Sequence, residues 1–233
     1  MNIVITGASK GIGKAIAQTL AIKGHHLFIT SRNEGDLDLL KQDLQQQHAN
    51  IHVHYYPCDV SQKDQLQTLS KCILSVFREV HVLINNAGIF LPGNISDEPD
   101  GHLEMIMRTN FESAYHLTRM LLPNMLHRNN GHIINMCSIA SLQAYPGGSS
   151  YGISKFALLG FSRCLREELK TTGIKVTAIM PGATWSDSWK GVDLPQERLM
   201  LADDVASAVA GLLELSPSAV VEELIMRPQL GDL

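Results

Sequence analysis

The sequence predicts an α/β fold, a single doubly wound domain whose seven-stranded parallel sheet carries helices on both faces. Three observations lead there. Short β-branched runs alternate with longer stretches of helical periodicity, the order left by parallel strands joined through crossover helices. A glycine-rich turn follows the first strand directly and opens a helix. The 233 residues, 45% hydrophobic and 18% charged, suit one domain of ordinary composition. A chain of this length buries roughly 70 to 75% of its unfolded surface, so its core needs no disulfide or metal.

The expected strands are residues 2–6, 26–30, 51–56, 82–85, 132–136, 174–180 and 223–226. Between them, Ala15, Ile16, Leu20 and Lys23 begin one helical stripe, and Leu66, Leu69, Ile73, Val76 and Phe77 form a cleaner one. Right-handed crossovers follow by default. Two helices, over 103–126 and 151–169, are longer and more apolar all round than a one-sided surface helix. Both can pack on the sheet alone or also face a second subunit. Pro123 inside the first is expected to kink it or end it early. The chain has no tandem repeat or low-complexity linker, so 1–233 reads as one domain. Its richest loops, 91–101, 141–150 and 183–197, all follow strands, on the side where an open α/β sheet places its ligand crevice.

Nineteen Lys and Arg against twenty-three Asp and Glu give a formal charge of −4, without a dense basic run for a phosphate backbone. Nucleic acid is therefore not an expected partner. The first apolar run, Ile3 to Ile5, is interrupted at once by Thr6 and Gly7, which fits neither a signal peptide nor a membrane span. Cys58, Cys72, Cys137 and Cys164 are scattered with no CxxC pair, the usage of reduced thiols in a cytoplasm.

The turn after the first strand reads Thr6-Gly7-Ala8-Ser9-Lys10-Gly11-Ile12-Gly13. Glycines let the backbone turn sharply and approach a pyrophosphate, while the following helix presents unpaired N–H groups to its charge. A dinucleotide is the expected ligand, although the spacing G-x-x-x-G-x-G departs from the commoner G-x-G-x-x-G and any tight strand-to-helix turn can look similar. Dinucleotide folds often place an acid about 20 residues beyond the glycines to bind a ribose 2′-hydroxyl. Here that neighbourhood is Ile29-Thr30-Ser31-Arg32-Asn33, with a guanidinium where the acid would be. Arg32, with Lys10 from the other side, suits a 2′-phosphate, so NADP(H) is favoured over NAD(H). Glu34 nearby works against that positive potential.

Tyr151 and Lys155 lie four apart in an expected helix and share one face. An ammonium beside a phenol favours the phenolate and lowers a pKa that is ordinarily about 10, which makes the pair an acid/base candidate. Ser138, just past the fifth strand, can offer its hydroxyl to the same substrate oxygen.

Taken together, these pieces resemble the classical short-chain dehydrogenase/reductase family. The matching segments are Thr6 through Gly13, Asn85-Asn86-Ala87-Gly88, Asn110, Ser138 with Tyr151-Gly152-Ile153-Ser154-Lys155, and Pro181-Gly182, spread over almost the whole chain. The resemblance implies a Rossmann domain and an NADP(H)-dependent oxidoreductase interconverting a carbonyl and an alcohol by hydride transfer. It makes Tyr151 the proton donor and acceptor and has Ser138 orient the substrate oxygen. Lys155 would hold the nicotinamide ribose and depress the tyrosine pKa, and Asn110 would anchor a water of the proton relay. It further implies that Asp59 meets the adenine amino group with the Val60 backbone adjacent, and that Asn86, Ala87 and Gly88 line the cofactor cleft. Pro181-Gly182-Ala183-Thr184-Trp185-Ser186 resembles the segment that grips the nicotinamide carboxamide. Thr184 stands where Val is usual and Ser186 where Thr is usual, so which hydroxyl does so stays open. Pairing of the two long helices across a two-fold axis, giving a homodimer or homotetramer, is implied as well. Duller uses compete at single positions: Asn110 can bend a helix, Asp59 can begin a turn, and Ser138 can satisfy nearby backbone.

A cofactor-sensing protein without turnover is the other function class, disfavoured because a sensor has no need of Ser138, Tyr151 and Lys155. No metal is expected: His52 and His54 share a strand face but lack a third ligand. Cys137 reads as a small buried thiol. Trp185 and Trp189 fall in a compact lid at about 183–200. That length suits an open cleft for small carbonyl compounds, and the two indoles can equally staple the lid to its own domain.

Overall fold

The computed structural model describes residues 1–185 and 195–232. Its seven strands are β1 (Asn2–Thr6), β2 (His26–Ser31), β3 (Val53–Pro57), β4 (Val82–Asn85), β5 (Gly131–Met136), β6 (Ile174–Pro181) and β7 (Glu223–Met226). They form one parallel sheet in the order β3-β2-β1-β4-β5-β6-β7. The third strand starts two residues later than 51–56 implied, because Ile51 is buried but lies ahead of the ladder, whose first pair is Leu27↔Val53.

Helices α1 (Gly11–Ile22), α2 (Glu34–Gln47), α3 (Lys63–Val76), α4 (His102–Met107), α5 (Ser113–Arg128), α6 (Ser149–Leu169) and α7 (Ala202–Glu214) cover both faces. On one face Ile16 and Leu20 of α1 pack with Val205 and Val209 of α7 over Ile3, Ile5 and Ile29. On the other, Leu69 and Ile73 of α3, Leu117 and Leu121 of α5 and Leu165 of α6 pack over Val4, Phe28, Leu83 and Ile133. With both faces covered, central strands are buried throughout rather than alternately; all six residues of β5 are buried, His132 and Asn135 among them.

The helix expected over 103–126 is in fact two helices. A π-helical turn, Arg108–Glu112, separates α4 from α5 and contains Asn110. Pro123 neither ends nor shortens α5, which continues to Arg128. Pro123 is exposed, so the carbonyl one turn back that loses its partner lies on the solvent side.

The chain leaves β1 toward β2 and β3, then returns so that β4 sits on the other flank of β1: Ile5 pairs with both Ile29 and Ile84. That reversal opens a crevice at the carboxyl ends of β1 and β4, where open α/β sheets bind ligands. The glycine turn and Asn86 stand there.

Candidate active site

Backbone geometry sets one wall of the crevice. Gly7 and Gly11 have φ of +64° and +52°, a region side chains disfavour. A Cβ on Gly13 would lie 2.2 Å from the Gly7 carbonyl oxygen. Asn86 locks the turn from β4: its Nδ2 donates to the carbonyls of Thr6 and Gly7 at 2.9 and 3.1 Å. The Thr6 hydroxyl in turn accepts the amides of Asn86 and Ala87 at 3.0 and 2.9 Å. No side chain caps the N-terminus of α1, which leaves its first amides to a ligand. Ile12 and Gly88 face the same space, and a Cβ on Gly88 would stand 3.4 Å from Asn110 Oδ1 and 3.6 Å from Lys155 Nζ. A glycine turn, an uncapped helix end and space kept clear of side chains fit a dinucleotide pyrophosphate.

The ends of β2 and β3 lie beyond the glycine turn, and the Ala8 amide is tied to β2 through the Thr30 carbonyl at 3.1 Å. Arg32 is exposed, and no described residue forms an ion pair with it. Lys10 Nζ stands 3.7 Å from Asp36 in the first turn of α2, an exposed pair of the kind worth little and readily exchanged for a stronger anion. Ser31 carries the chain out of β2, its carbonyl accepting the Cys58 amide at 2.9 Å. Asp59 does begin a turn: its Oδ1 accepts from the Ser61 amide and hydroxyl at 3.0 and 2.8 Å. The Val60 side chain is buried in the core.

Tyr151, Ser138 and Lys155 line a single cleft of about 610 Å³ together with Asn86, Gly88, Pro181, Gly182 and Thr184. Ser138 caps a short 3₁₀ turn, accepting the Ala140 amide at 3.1 Å, and its hydroxyl lies near enough to the Tyr151 phenol to favour the phenolate. The Lys155 ammonium is buried, sits 5.7 Å from the Tyr151 ring centroid and donates to the Met136 carbonyl at 2.8 Å. Burial pushes it down to about 8. The same burial pushes the Tyr151 phenol above its ordinary value, with the Ser138 hydroxyl pulling the other way. The expected depression of the phenol by the neighbouring ammonium is not what these residues produce: desolvation dominates, and Lys155 spends a proton on a carbonyl.

Asn110 is buried behind the cleft. Its Oδ1 accepts the Ile89 amide at 2.8 Å, while Nδ2 donates to the Ile89 carbonyl and Ser154 Oγ, both at 3.0 Å. The π turn presents this amide to β4 and α6 at once, a common use of such turns at functional sites. Thr184 Oγ1 donates to the Gly182 carbonyl at 3.0 Å and lines the cleft; Ser186 and Trp189 lie outside the described residues. At the base of the expected lid, the Trp185 amide bonds the Met200 carbonyl at 2.8 Å. Cys137 is buried, and burial raises its thiol to about 11, which makes it a poor nucleophile. His52 stacks on His26 at 5.0 Å while His54 meets Phe77 edge-on, so the two histidines take separate neighbours.

Sequence reasoning missed the substrate side. Phe90 meets Tyr151 edge-on at 5.1 Å, and Tyr145 lines the same cleft. The 93–98 segment is stapled to the start of α6: Gly93 exchanges backbone bonds with Gly147 and Ser149, and Glu98 accepts from both the amide and the hydroxyl of Ser150. The C-terminal strand end also closes on the cleft, with Arg227 ion-paired to Asp232 and the Gly182 amide bonded to the Met226 carbonyl at 2.7 Å. None of these contacts has a motif or period that could have announced it.

A sequence model of the short chain dehydrogenase family matches residues 1–196. A sepiapterin reductase of Chlorobaculum tepidum is 30% identical over 239 residues, covering 99% of this chain and 97% of that protein. Among solved structures, an alcohol dehydrogenase of the archaeon Thermococcus sibiricus complexed with 5-hydroxy-NADP superposes with a TM-score of 0.92 at 28% identity, covering 100% of this chain and 98% of that one. The L-sorbose reductase of Gluconobacter frateurii complexed with NADPH and L-sorbose gives 0.90 at 26% identity, covering 97% and 95%. With its glycine turn, its parallel sheet and these relatives along nearly its full length, the chain belongs to the classical short-chain dehydrogenase/reductase family of oxidoreductases.

Proposed function

We propose that the protein is an NADP(H)-dependent reductase and dehydrogenase that interconverts a carbonyl and a secondary alcohol, with Tyr151 as the group that gives or takes the oxygen-bound proton. The observation that carries this is the meeting of Tyr151, Ser138 and Lys155 in one cleft beside the glycine turn. The nicotinamide, when bound, supplies or accepts the hydride. NADP(H) complexes among similar structures support the choice of nucleotide, as does Arg32 at the end of β2.

The chain's own groups do the rest. Ser138 offers a hydroxyl hydrogen bond to the substrate oxygen beside the phenol and so fixes where the carbonyl sits. A phenol raised by burial is fully protonated at neutral pH, ready to donate as charge develops on that oxygen. In the oxidative direction the same phenol must lose its proton first, so alcohol oxidation is expected to rise with pH. Lys155 binds the nicotinamide ribose, and Asn110 holds the carbonyl of Ile89 and the Ser154 hydroxyl that steady the cleft floor. Asp59 and the Val60 backbone meet the adenine; Thr184 faces the carboxamide.

The reading takes the chain as one catalytic domain, with Leu103, Met105, Ile153 and Phe156, between 41% and 50% exposed, meeting a second subunit. Titrating both nucleotides and following reduced nicotinamide with a panel of ketones and aldehydes tests it. NADPH is expected to bind at least about tenfold more tightly than NADH, and Arg32→Ala to remove most of that gap. NADH binding equal to NADPH overturns the nucleotide assignment. NADPH binding without turnover of any carbonyl overturns the enzyme and leaves a sensor.

A further inference from the structure

We infer that this site selects neutral carbonyl compounds carrying a flat apolar substituent, seated between Phe90 and Tyr145, and discriminates against carboxylates and polyols. The inference rests on the reading above and adds the substrate class.

Both rings line the cleft that holds the proton donor. Phe90 stands edge-on to Tyr151 and is still 40% exposed, so one face of a large apolar ring is open to the cleft. Tyr145, 42% exposed, is held by its neighbours in the 147–148 turn: a Cβ on Gly148 would come within 2.5 Å of its ring, so only glycine lets the ring lie there. Ile89, Ile139 and Ala144 continue that apolar wall. Rings kept exposed at a concave site gain most when a flat apolar group covers them.

Charge argues the same way. Among the described residues the ionisable side chains lining the cleft, apart from the tyrosines and Cys137, are Lys155, Arg227 and Asp232. Lys155 is buried and donates to the Met136 carbonyl, and Arg227 and Asp232 are paired with each other. A substrate carboxylate would find no unpaired cation among the described residues of the cleft, whereas a flat apolar group covers the rings of Phe90 and Tyr145. A polyol gains nothing from the side chains of Phe90, Ile139 and Ala144, which neither accept nor donate hydrogen bonds.

With NADPH, the test compares 2-acetylnaphthalene and acetophenone with acetone, dihydroxyacetone and pyruvate, and calorimetry measures the binding of 1-phenylethanol, glycerol and lactate. The aryl ketones are expected to exceed pyruvate and dihydroxyacetone in kcat/KM by about a hundredfold. Phe90→Ala and Tyr145→Ala should each lower kcat/KM for the aryl ketones at least about tenfold more than they lower it for acetone. Preference for pyruvate, lost in Arg227→Ala, or for dihydroxyacetone overturns the inference, as does equal loss on every substrate in the ring variants. If no ketone is reduced but 1-phenylethanol binds and Phe90→Ala abolishes it, the substrate class stands and only the enzymatic reading falls.

Discussion

The two walls of the cleft are built on different principles. On the nucleotide side the shape is backbone: the φ values of Gly7 and Gly11, the absence of a Cβ at Gly13, and an asparagine amide gripping two carbonyls. On the substrate side the shape is made by side chains that meet from distant segments, Glu98 on Ser150 and Phe90 on Tyr151. A backbone wall tolerates almost no substitution and suits a ligand that never changes. A side-chain wall can be rebuilt residue by residue, which is what a change of substrate requires.

The residue standing where the walls meet gives the sharpest way to break the comparison. Tyr151→Phe keeps the ring, its contact with Phe90 and the burial, and removes only the hydroxyl near Ser138. Turnover is expected to fall by about 10² to 10⁴-fold, with NADPH affinity unchanged within about twofold. Retention of more than about a tenth of the activity in a steady-state assay would remove Tyr151 from its role.

A smaller effect separates the walls themselves. Gly13→Ala places a Cβ against the Gly7 carbonyl and 2.5 Å from Asn86 Nδ2, so the turn must shift. The expected cost is about 1 to 3 kcal/mol in a urea melt, with NADPH affinity lowered about tenfold or more. Gly211→Ala in α7 is the control, because the added carbon meets nothing within 4 Å beyond the helix's own backbone. It should stabilise the helix by about 0.5 to 1 kcal/mol and leave affinity alone. Equal NADPH affinity in wild type and Gly13→Ala would show that the nucleotide wall is not set by its backbone.

The same contrast explains what the sequence disclosed. Strand order and the nucleotide wall were legible because backbone constraints leave residue-type marks: glycines at Gly7, Gly11 and Gly13, apolar runs in buried strands, Asn86 after β4. Of the expected site residues, Ile12, Asn86, Gly88, Ser138, Tyr151, Lys155, Pro181, Gly182 and Thr184 line one space, whereas Ser9, Lys10, Gly11, Ser31, Arg32, Asp59, Val60 and Asn110 are not among its lining residues. The break at Asn110 was hidden, since a π turn has the composition of the helices on either side. The direction of the phenol shift was hidden too, because proximity in sequence announces the ammonium but not the desolvation of both groups. Glu98 and Phe90 left no trace, since each acts through a partner dozens of residues away, and the Arg227–Asp232 pair, only five residues apart, carries no motif.

Glu98 offers the subtlest test. Helix α6 begins after Gly148, which has no side chain to cap it, and Glu98 supplies the missing acceptor from another loop by bonding the Ser150 amide at 3.1 Å and its hydroxyl. Tyr151 is the next residue. The hydroxyl bond first, and the amide bond second, hold the Glu98 carboxyl below its usual range. A carboxyl depressed by folding contributes above its unfolded value, about 4.5, and that contribution disappears as pH falls through the lower folded value. Glu98→Ala is therefore expected to lower kcat about three- to tenfold at pH 7 through misplacement of Tyr151, with NADPH affinity unchanged. Glu98→Gln imitates the protonated carboxyl, so the ratio of wild-type to variant kcat should exceed one at pH 7 and fall toward one below about pH 4.5. A ratio that stays constant over that range would mean that the carboxylate charge plays no part in placing the tyrosine, and that the substrate wall is held at this point by shape alone.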